Sequence, residues 1–225
     1  MIKKFLISLA ALLIVTGLWA QTPAEDYSLK FQFTLGPSMV VTTDTKGTDW
    51  PTSLGGYADF TIPVSKRFSF RTYGYANWNT IRNAYGPGED QNFTNAVLDV
   101  DLRFCFNPSS KYQAYVLGGL ETYWGSWNNV PDSSFTKLTY SIGGGGYFYF
   151  NGTKFVINPE LRWAPETDTW TVRVKSDVAI WKDRVFLSPE VKWSNIDVDY
   201  YAGTGTSVKF HTDNYALGIG LTFKF

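Results

Sequence analysis

The closing stretch NYALGIGLTFKF alternates strictly. Large apolar residues occupy Tyr215, Leu217, Ile219, Leu221, Phe223 and Phe225, and small or polar ones occupy Ala216, Gly218, Gly220, Thr222 and Lys224. A period of two marks a strand with one apolar face. The same alternation recurs along the chain and predicts ten strands, near 28–42, 53–64, 68–79, 93–107, 111–124, 136–150, 154–164, 170–181, 184–195 and 208–225. Short turns at 65–67, 107–111, 151–154 and 182–183 alternate with longer connections at 43–52, 80–92, 125–135, 165–169 and 195–208. That segregation predicts an up-and-down meander whose two ends face different compartments.

One parity is apolar throughout. It reads Leu29, Phe31, Phe33 and Leu35 on the first strand and Ala96, Leu98, Val100, Leu102, Phe104 and Phe106 on the fourth. On the eighth it reads Val172, Val174, Val178 and Ile180, interrupted by Ser176. The other parity is polar: Lys30, Gln32 and Thr34, then Asn95, Asp99, Asp101 and Arg103, then Arg173, Lys175 and Asp177. Burying so many charges in a soluble core is costly. The apolar face is therefore assigned to lipid and the charged face to a lumen. The fold class expected is all-β, a closed antiparallel up-and-down transmembrane β-barrel of about ten strands, with eight as the alternative. Its lumenal charge network comprises Asp59, Arg71, Asp99, Asp101, Arg103, Glu121, Glu160, Arg162, Arg173, Lys175, Asp177, Glu190 and Lys192.

Aromatic residues sharpen this picture. Outward tryptophans fall near the long-loop end of ascending strands, at Trp78, Trp124, Trp163 and Trp193. Outward phenylalanines gather near the short turns, at Phe68, Phe70, Phe104, Phe106, Phe148, Phe150, Phe155, Phe223 and Phe225. Rings at both edges of an apolar band are the girdles expected where a barrel meets two headgroup layers.

The N-terminus reads as a secretory signal peptide over 1–20: Lys3 and Lys4, then an apolar run from Phe5 to Leu18 closed by Ala20. A run of about 14 apolar residues is too short to span a bilayer as a helix. Residues 21–225 are then a single barrel domain. Without Lys3 and Lys4 the chain carries 18 basic against 20 acidic residues, which gives no footprint for nucleic acid. Cys105 is the only cysteine, so no intramolecular disulfide is available, and no Cys/His cluster or calcium-loop pattern marks a metal site. No cofactor is expected.

Taken together, the leader-like segment, the strand rhythm and the closing LTFKF resemble the small outer-membrane β-barrels of Gram-negative bacteria, the OmpA-like and OmpW-like proteins. The resemblance covers 21–225. It implies a lipid-embedded barrel and makes Phe225, as a terminal aromatic, the signal read by the barrel assembly machinery. Those barrels usually have eight strands, whereas ten are read here, as in the omptin proteases and some adhesin barrels. An omptin-like or lipid-modifying site would have to use His211, the only histidine, with Asp213, Ser207, or Asp197 and Asp199 of the preceding loop. The omptin motif order is missing, so no catalytic residue is assigned. The function expected is a structural or surface-interacting barrel with a largely occluded lumen; the alternative is a narrow porin for ions or small solutes.

Two local patterns add detail. FVINPELRW (155–163) echoes VFLSPEVKW (185–193), and Pro159 and Pro189 predict a bulge or an early distortion because proline removes a ladder donor. The glycines at 143–146 make room for a large inward neighbour, with Tyr147 and Tyr149 as candidates. The short turn at 182–183 would set Trp181 opposite Arg184 and Lys175 opposite Glu190, and pairing Trp163 with Trp170 would set Glu160 opposite Arg173. These two ion pairs would stack as a ladder, with Tyr73, Tyr75, Tyr115 and Tyr147 also facing inward.

Overall fold

A computed structural model describes residues 27–44, 52–81, 91–127, 134–182, 184–202 and 206–225. The expected signal peptide lies outside the described residues. Ten strands follow one another: β1 (Gln32–Asp44), β2 (Ser53–Pro63), β3 (Phe68–Ile81), β4 (Gln91–Cys105), β5 (Tyr112–Trp127), β6 (Phe135–Phe150), β7 (Phe155–Ala164), β8 (Thr169–Trp181), β9 (Val185–Ala202) and β10 (Thr206–Lys224). Each pairs antiparallel with its sequence neighbour, and β10 pairs with β1, so the sheet closes into a barrel. Among the described residues no helix is long and apolar enough to cross a membrane. Closure removes the free strand edges that lipid could not satisfy.

The barrel is inside out relative to a soluble protein. Leu35, Leu54, Ile62, Leu98, Leu120, Ile142, Val191 and Ile219 are all exposed, while Arg71, Asp59, Asp101 and Thr34 are among the most buried side chains. An apolar surface of this extent exceeds what a soluble monomer tolerates. Covering it takes lipid.

Four details depart from the expectations of the sequence. First, β1 begins at Gln32, and the residues before it leave the alternation. Leu29 packs inward against a cluster of Tyr27, Tyr115, Leu117, Tyr147, Tyr149 and Val156, whereas Lys30 is exposed. With no neighbouring strand to hold the pleat, this segment turns its apolar side chains into the barrel mouth. Second, most of 195–208 is ladder rather than loop. β9 and β10 pair up to Ala202 and Thr206, so Asp197 and Asp199 lie in a strand. Third, Pro159 and Pro189 cause no register shift; Asn158 Nδ2 donates to the Gly146 carbonyl on the neighbouring strand at 2.8 Å and supplies a bond that Pro159 cannot. Fourth, the bulge lies between Ala179 and Trp181, so Trp181 faces Val185 and not Arg184, although Lys175 still faces Glu190.

The thin face of β10 has a specific use. Tyr57 of β2 lies across it and donates to the Ser188 carbonyl of β9 at 3.1 Å. A Cβ at Gly218 would come within 2.8 Å of the Tyr57 ring, and one at Gly220 within 2.6 Å of its hydroxyl. Across the closing seam, a Cβ at Gly36 would sit 2.3 Å from the Ile219 carbonyl oxygen and 2.6 Å from Gly220 Cα. These are backbone atoms, which cannot move aside without separating β1 from β10.

Gly36→Ala is therefore expected to destabilise the closed barrel, by about 1–3 kcal/mol as for other overpacked sites. Gly56→Ala should leave it unchanged, because the nearest atom there is 3.5 Å away. The temperature at which the unboiled protein loses its compact gel mobility measures both. Equal temperatures for the two variants would disprove the seam argument.

Candidate functional site

All thirteen charged residues expected in the lumen lie inside the barrel. The carboxylates are Asp59, Asp99, Asp101, Glu121, Glu160, Asp177 and Glu190, and the buried cations are Arg71, Arg103, Arg162, Arg173, Lys175 and Lys192. Lys224, 13 % exposed, pairs with Asp177 at 2.7 Å and joins this set among the described residues. Sequence reasoning passed over Lys224 as a partner, although its inward parity was legible.

Glu160, near the middle of β7, is the hub. Its Oε1 accepts from Arg71 Nη1 at 3.1 Å and from Arg162 Nε at 2.8 Å. Its Oε2 accepts from the Arg103 guanidinium and from the Tyr115 hydroxyl at 2.7 Å. Arg173, directly opposite in register, comes only to 3.9 Å. The interaction expected along the sheet is thus replaced by stronger ones across the lumen, from β3 and β4 to β7. Arginine reaches this far because its long stem ends in a rigid fork of donors.

The other pairs follow the same rule. Arg71 Nε meets Asp59 at 2.8 Å, and Arg173 Nη2 meets the same carboxylate at 2.6 Å. Arg162 binds Asp101 and, at 3.2 Å, Asp99. Glu190 accepts from Arg173 Nε at 2.7 Å and from the Tyr73 hydroxyl at 2.7 Å. Lys175, opposite Glu190 in register, instead donates to Thr34 at 2.7 Å and lies 3.7 Å from Asp177 and 3.8 Å from Asp59. The expected two-rung ladder is therefore a three-dimensional brace. Asp99 and Glu121 face each other across β4 and β5 as like charges.

A chain of hydroxyls flanks the closing seam. Thr34 of β1 and Thr222 of β10 are 2.6 Å apart, Thr222 and Ser188 of β9 are 2.6 Å apart, and Ser188 donates to Asp177 of β8 at 2.7 Å. Small hydroxyl residues carry no charge signal in sequence, so this clasp was not anticipated.

Below the charge layer, toward the short turns, aromatic rings fill the barrel. Tyr27 packs on Tyr149 with ring centroids 5.2 Å apart, and its carbonyl accepts from Gln113 Nε2 at 2.6 Å. The room left by Gly145 is used by Tyr115, whose hydroxyl would lie 2.7 Å from a Cβ there, rather than by Tyr147 or Tyr149. Cys105 is partly buried beside this cluster.

On the outside, Trp78 and Trp124 are exposed, and Trp163 stacks on Trp170 at 5.8 Å with its indole N–H donating to Asp168. Trp193 lies opposite Tyr215. At the other end Phe104 contacts Phe68 and Phe106, Phe150 contacts Phe155, and Phe148 contacts Tyr112. Phe70 is exposed and Phe223 pairs with Phe33. Phe225 donates its backbone N–H to the Phe31 carbonyl at 3.0 Å and leaves its ring exposed. The backbone register sets His211 opposite Asp197. The side chains of His211, Asp197, Asp199 and Ser207 lie outside the described residues.

No family model and no curated protein matches the sequence. Among solved structures, the outer membrane protease OmpT from Escherichia coli is 12 % identical, with 89 % of this chain and 100 % of that one covered and a TM-score of 0.50. Neisserial surface protein A is 11 % identical, covering 87 % and 97 %, at 0.47. Ail, the attachment invasion locus protein of Yersinia pestis, is 11 % identical, covering 87 % and 99 %, at 0.41. Identities this low bear on fold alone, and of the three only OmpT is similar enough for the likeness to count. With its apolar outside and charged inside, the chain has the ten-stranded fold of a Gram-negative outer-membrane β-barrel.

Proposed function

We propose that this chain is an integral outer-membrane protein with a structural or surface-interaction role, whose lumen is a solid brace and not a conduit. The observation that carries this reading is the set of contacts around Glu160. A carboxylate held at once by arginines from β3, β4 and β7 fills the cross-section of the barrel with side chains. The aromatic cluster around Tyr27 fills the short-turn end as well. The carboxylates Asp59, Asp101, Glu160, Asp177 and Glu190 are each engaged by arginine or lysine, which supports a non-enzymatic lumen. Outward rings at both edges of the apolar belt serve as the girdles that fix depth in the bilayer.

Refolded protein in planar bilayers is expected to give no steady openings. Glu160→Gln keeps the shape but removes the charge that holds three arginines, and breaking a buried pair typically costs about 3–5 kcal/mol. That variant should lose compact gel mobility at a lower temperature and show intermittent conductance. Steady openings in the wild type would favour the narrow-porin alternative.

The barrel assembly machinery is the partner proposed for the C-terminal strand, with Phe225 as the residue recognised. Its ring is largely exposed, with one tilted contact to Phe31 at 5.9 Å, so Phe225→Asp should still refold in detergent while its level in the outer membrane falls severalfold. Normal membrane levels of that variant would remove Phe225 from the role.

A further inference from the structure

Every short turn of the barrel carries positive charge. Lys66 and Arg67 lie between β2 and β3, Lys111 between β4 and β5, Lys154 between β6 and β7, and Lys182 and Arg184 between β8 and β9. All are exposed except Lys111, which is half-buried. The exposed Lys30, just before β1, adds to the same end. Lys224 there is already spent on Asp177. In the sequence, Asp183 is the one acid within these turns, and Glu25 and Asp26 precede Tyr27. The long connections read the other way. Lys46 and Arg82 are their only bases, and each of the five contains acids, such as Glu89 with Asp90 and Glu166 with Asp168. A chain close to neutral overall thus separates its charge along the barrel axis.

The depth of these cations is set by their neighbours. Arg67 adjoins Phe68, Lys111 adjoins Tyr112, Lys154 adjoins Phe155 and Lys182 adjoins Trp181. Trp181 pairs with Val185, which pairs with the outward Phe223, so its ring is on the outer wall. Tyr112 is there too, against Phe148. Lys111 Nζ lies 5.6 Å from the Tyr112 centroid and Lys182 Nζ 5.4 Å from that of Trp181, so both ammonium groups stay beside outward rings. Such rings mark the level where hydrocarbon gives way to headgroups.

We propose that this ring of cations is a docking surface for anionic phospholipid headgroups, of which phosphatidylglycerol is the simplest, in the leaflet at the short-turn end. The inference rests on the membrane placement of the barrel and not on whether its lumen conducts. Lysine and arginine at a membrane surface attract anionic lipid. A soluble anionic partner seated on one side would need the charges gathered there, whereas they are spread over all four turns, around which only lipid is continuous.

The test uses the full chain refolded into phosphatidylcholine bilayers that contain either spin-labelled phosphatidylglycerol or spin-labelled phosphatidylcholine. The fraction of label immobilised at the protein surface gives the relative affinity. Phosphatidylglycerol should be favoured about threefold or more. That preference should shrink in about 1 M salt, where screening acts within about 3 Å. In the combined variant Lys66→Gln, Arg67→Gln, Lys154→Gln and Lys182→Gln, the two lipids should be held equally. Equal immobilisation by the wild type overturns the proposal while still reporting an embedded barrel, and a preference that the folded variant keeps overturns it too. No lipid preference together with binding of soluble peptidoglycan fragments would assign the ring to the cell wall instead. If the variant does not fold, the wild-type ratio and its salt dependence decide alone.

Discussion

The structure depends on keeping Glu160 ionised at the centre of a barrel. A carboxylate there is removed from bulk water and persists only if cations replace its hydration. Arg71, Arg103 and Arg162 do so, and each then needs further acceptors, which Asp59, Tyr147, Asp101 and Asp99 supply. The network thus spreads from one residue to most of the interior. Removing any member leaves its neighbours under-compensated, and that is the sense in which the lumen behaves as one unit.

This arrangement also sets which strand pairs with which, and in what register. Lipid accepts any apolar side chain, so the outer face constrains parity but barely distinguishes a register from one displaced by two residues. The interior does distinguish them. A two-residue slip of β3 against both neighbours would carry Arg71 away from Asp59 on β2 and from Asp101 on β4, leaving its charge without them. Closure is policed separately. At the seam there is little room for charge, because Gly36, Gly218 and Gly220 face inward, and specificity comes from close backbone approach together with the Thr34, Thr222 and Ser188 hydroxyls.

Strand number, parity and the charged lumen were legible in the sequence because each depends on a period of two within one strand. Even the register of β7 on β8 could be read from matching Trp163 to Trp170. What could not be read was anything requiring a third strand. Sequence pairing placed Arg173 as the partner of Glu160, but in a narrow barrel the opposite wall is as near as the adjacent strand, and arginines on β3 and β4 reach it first. The segment before Gln32 kept the right parity yet lacked a neighbouring strand, so alternation ceased to mean in and out there. The 195–208 stretch carries glycine and aspartate and reads as a loop, although an antiparallel ladder once begun can continue through such residues as a ribbon. Proline at 159 was read as a distortion, since the adjacent Asn158 side chain that replaces the missing donor has no sequence signature.

Filling a lumen with matched charges differs from filling it with apolar side chains. An apolar filling would turn both faces of every strand hydrophobic and erase the alternation that tells the chain which side is lipid. A charged filling keeps the two faces chemically distinct at every step of assembly. Its cost is that each charge must find a contact partner, and most do. Among the seven lumenal cations discussed above, Lys192 alone lies against ring faces with no carboxylate in direct contact. It also lies at the long-loop boundary of the packed brace. A charge at that boundary is compensated at a distance, by Asp99, Glu121 and Glu190 acting together, and not by one contact partner.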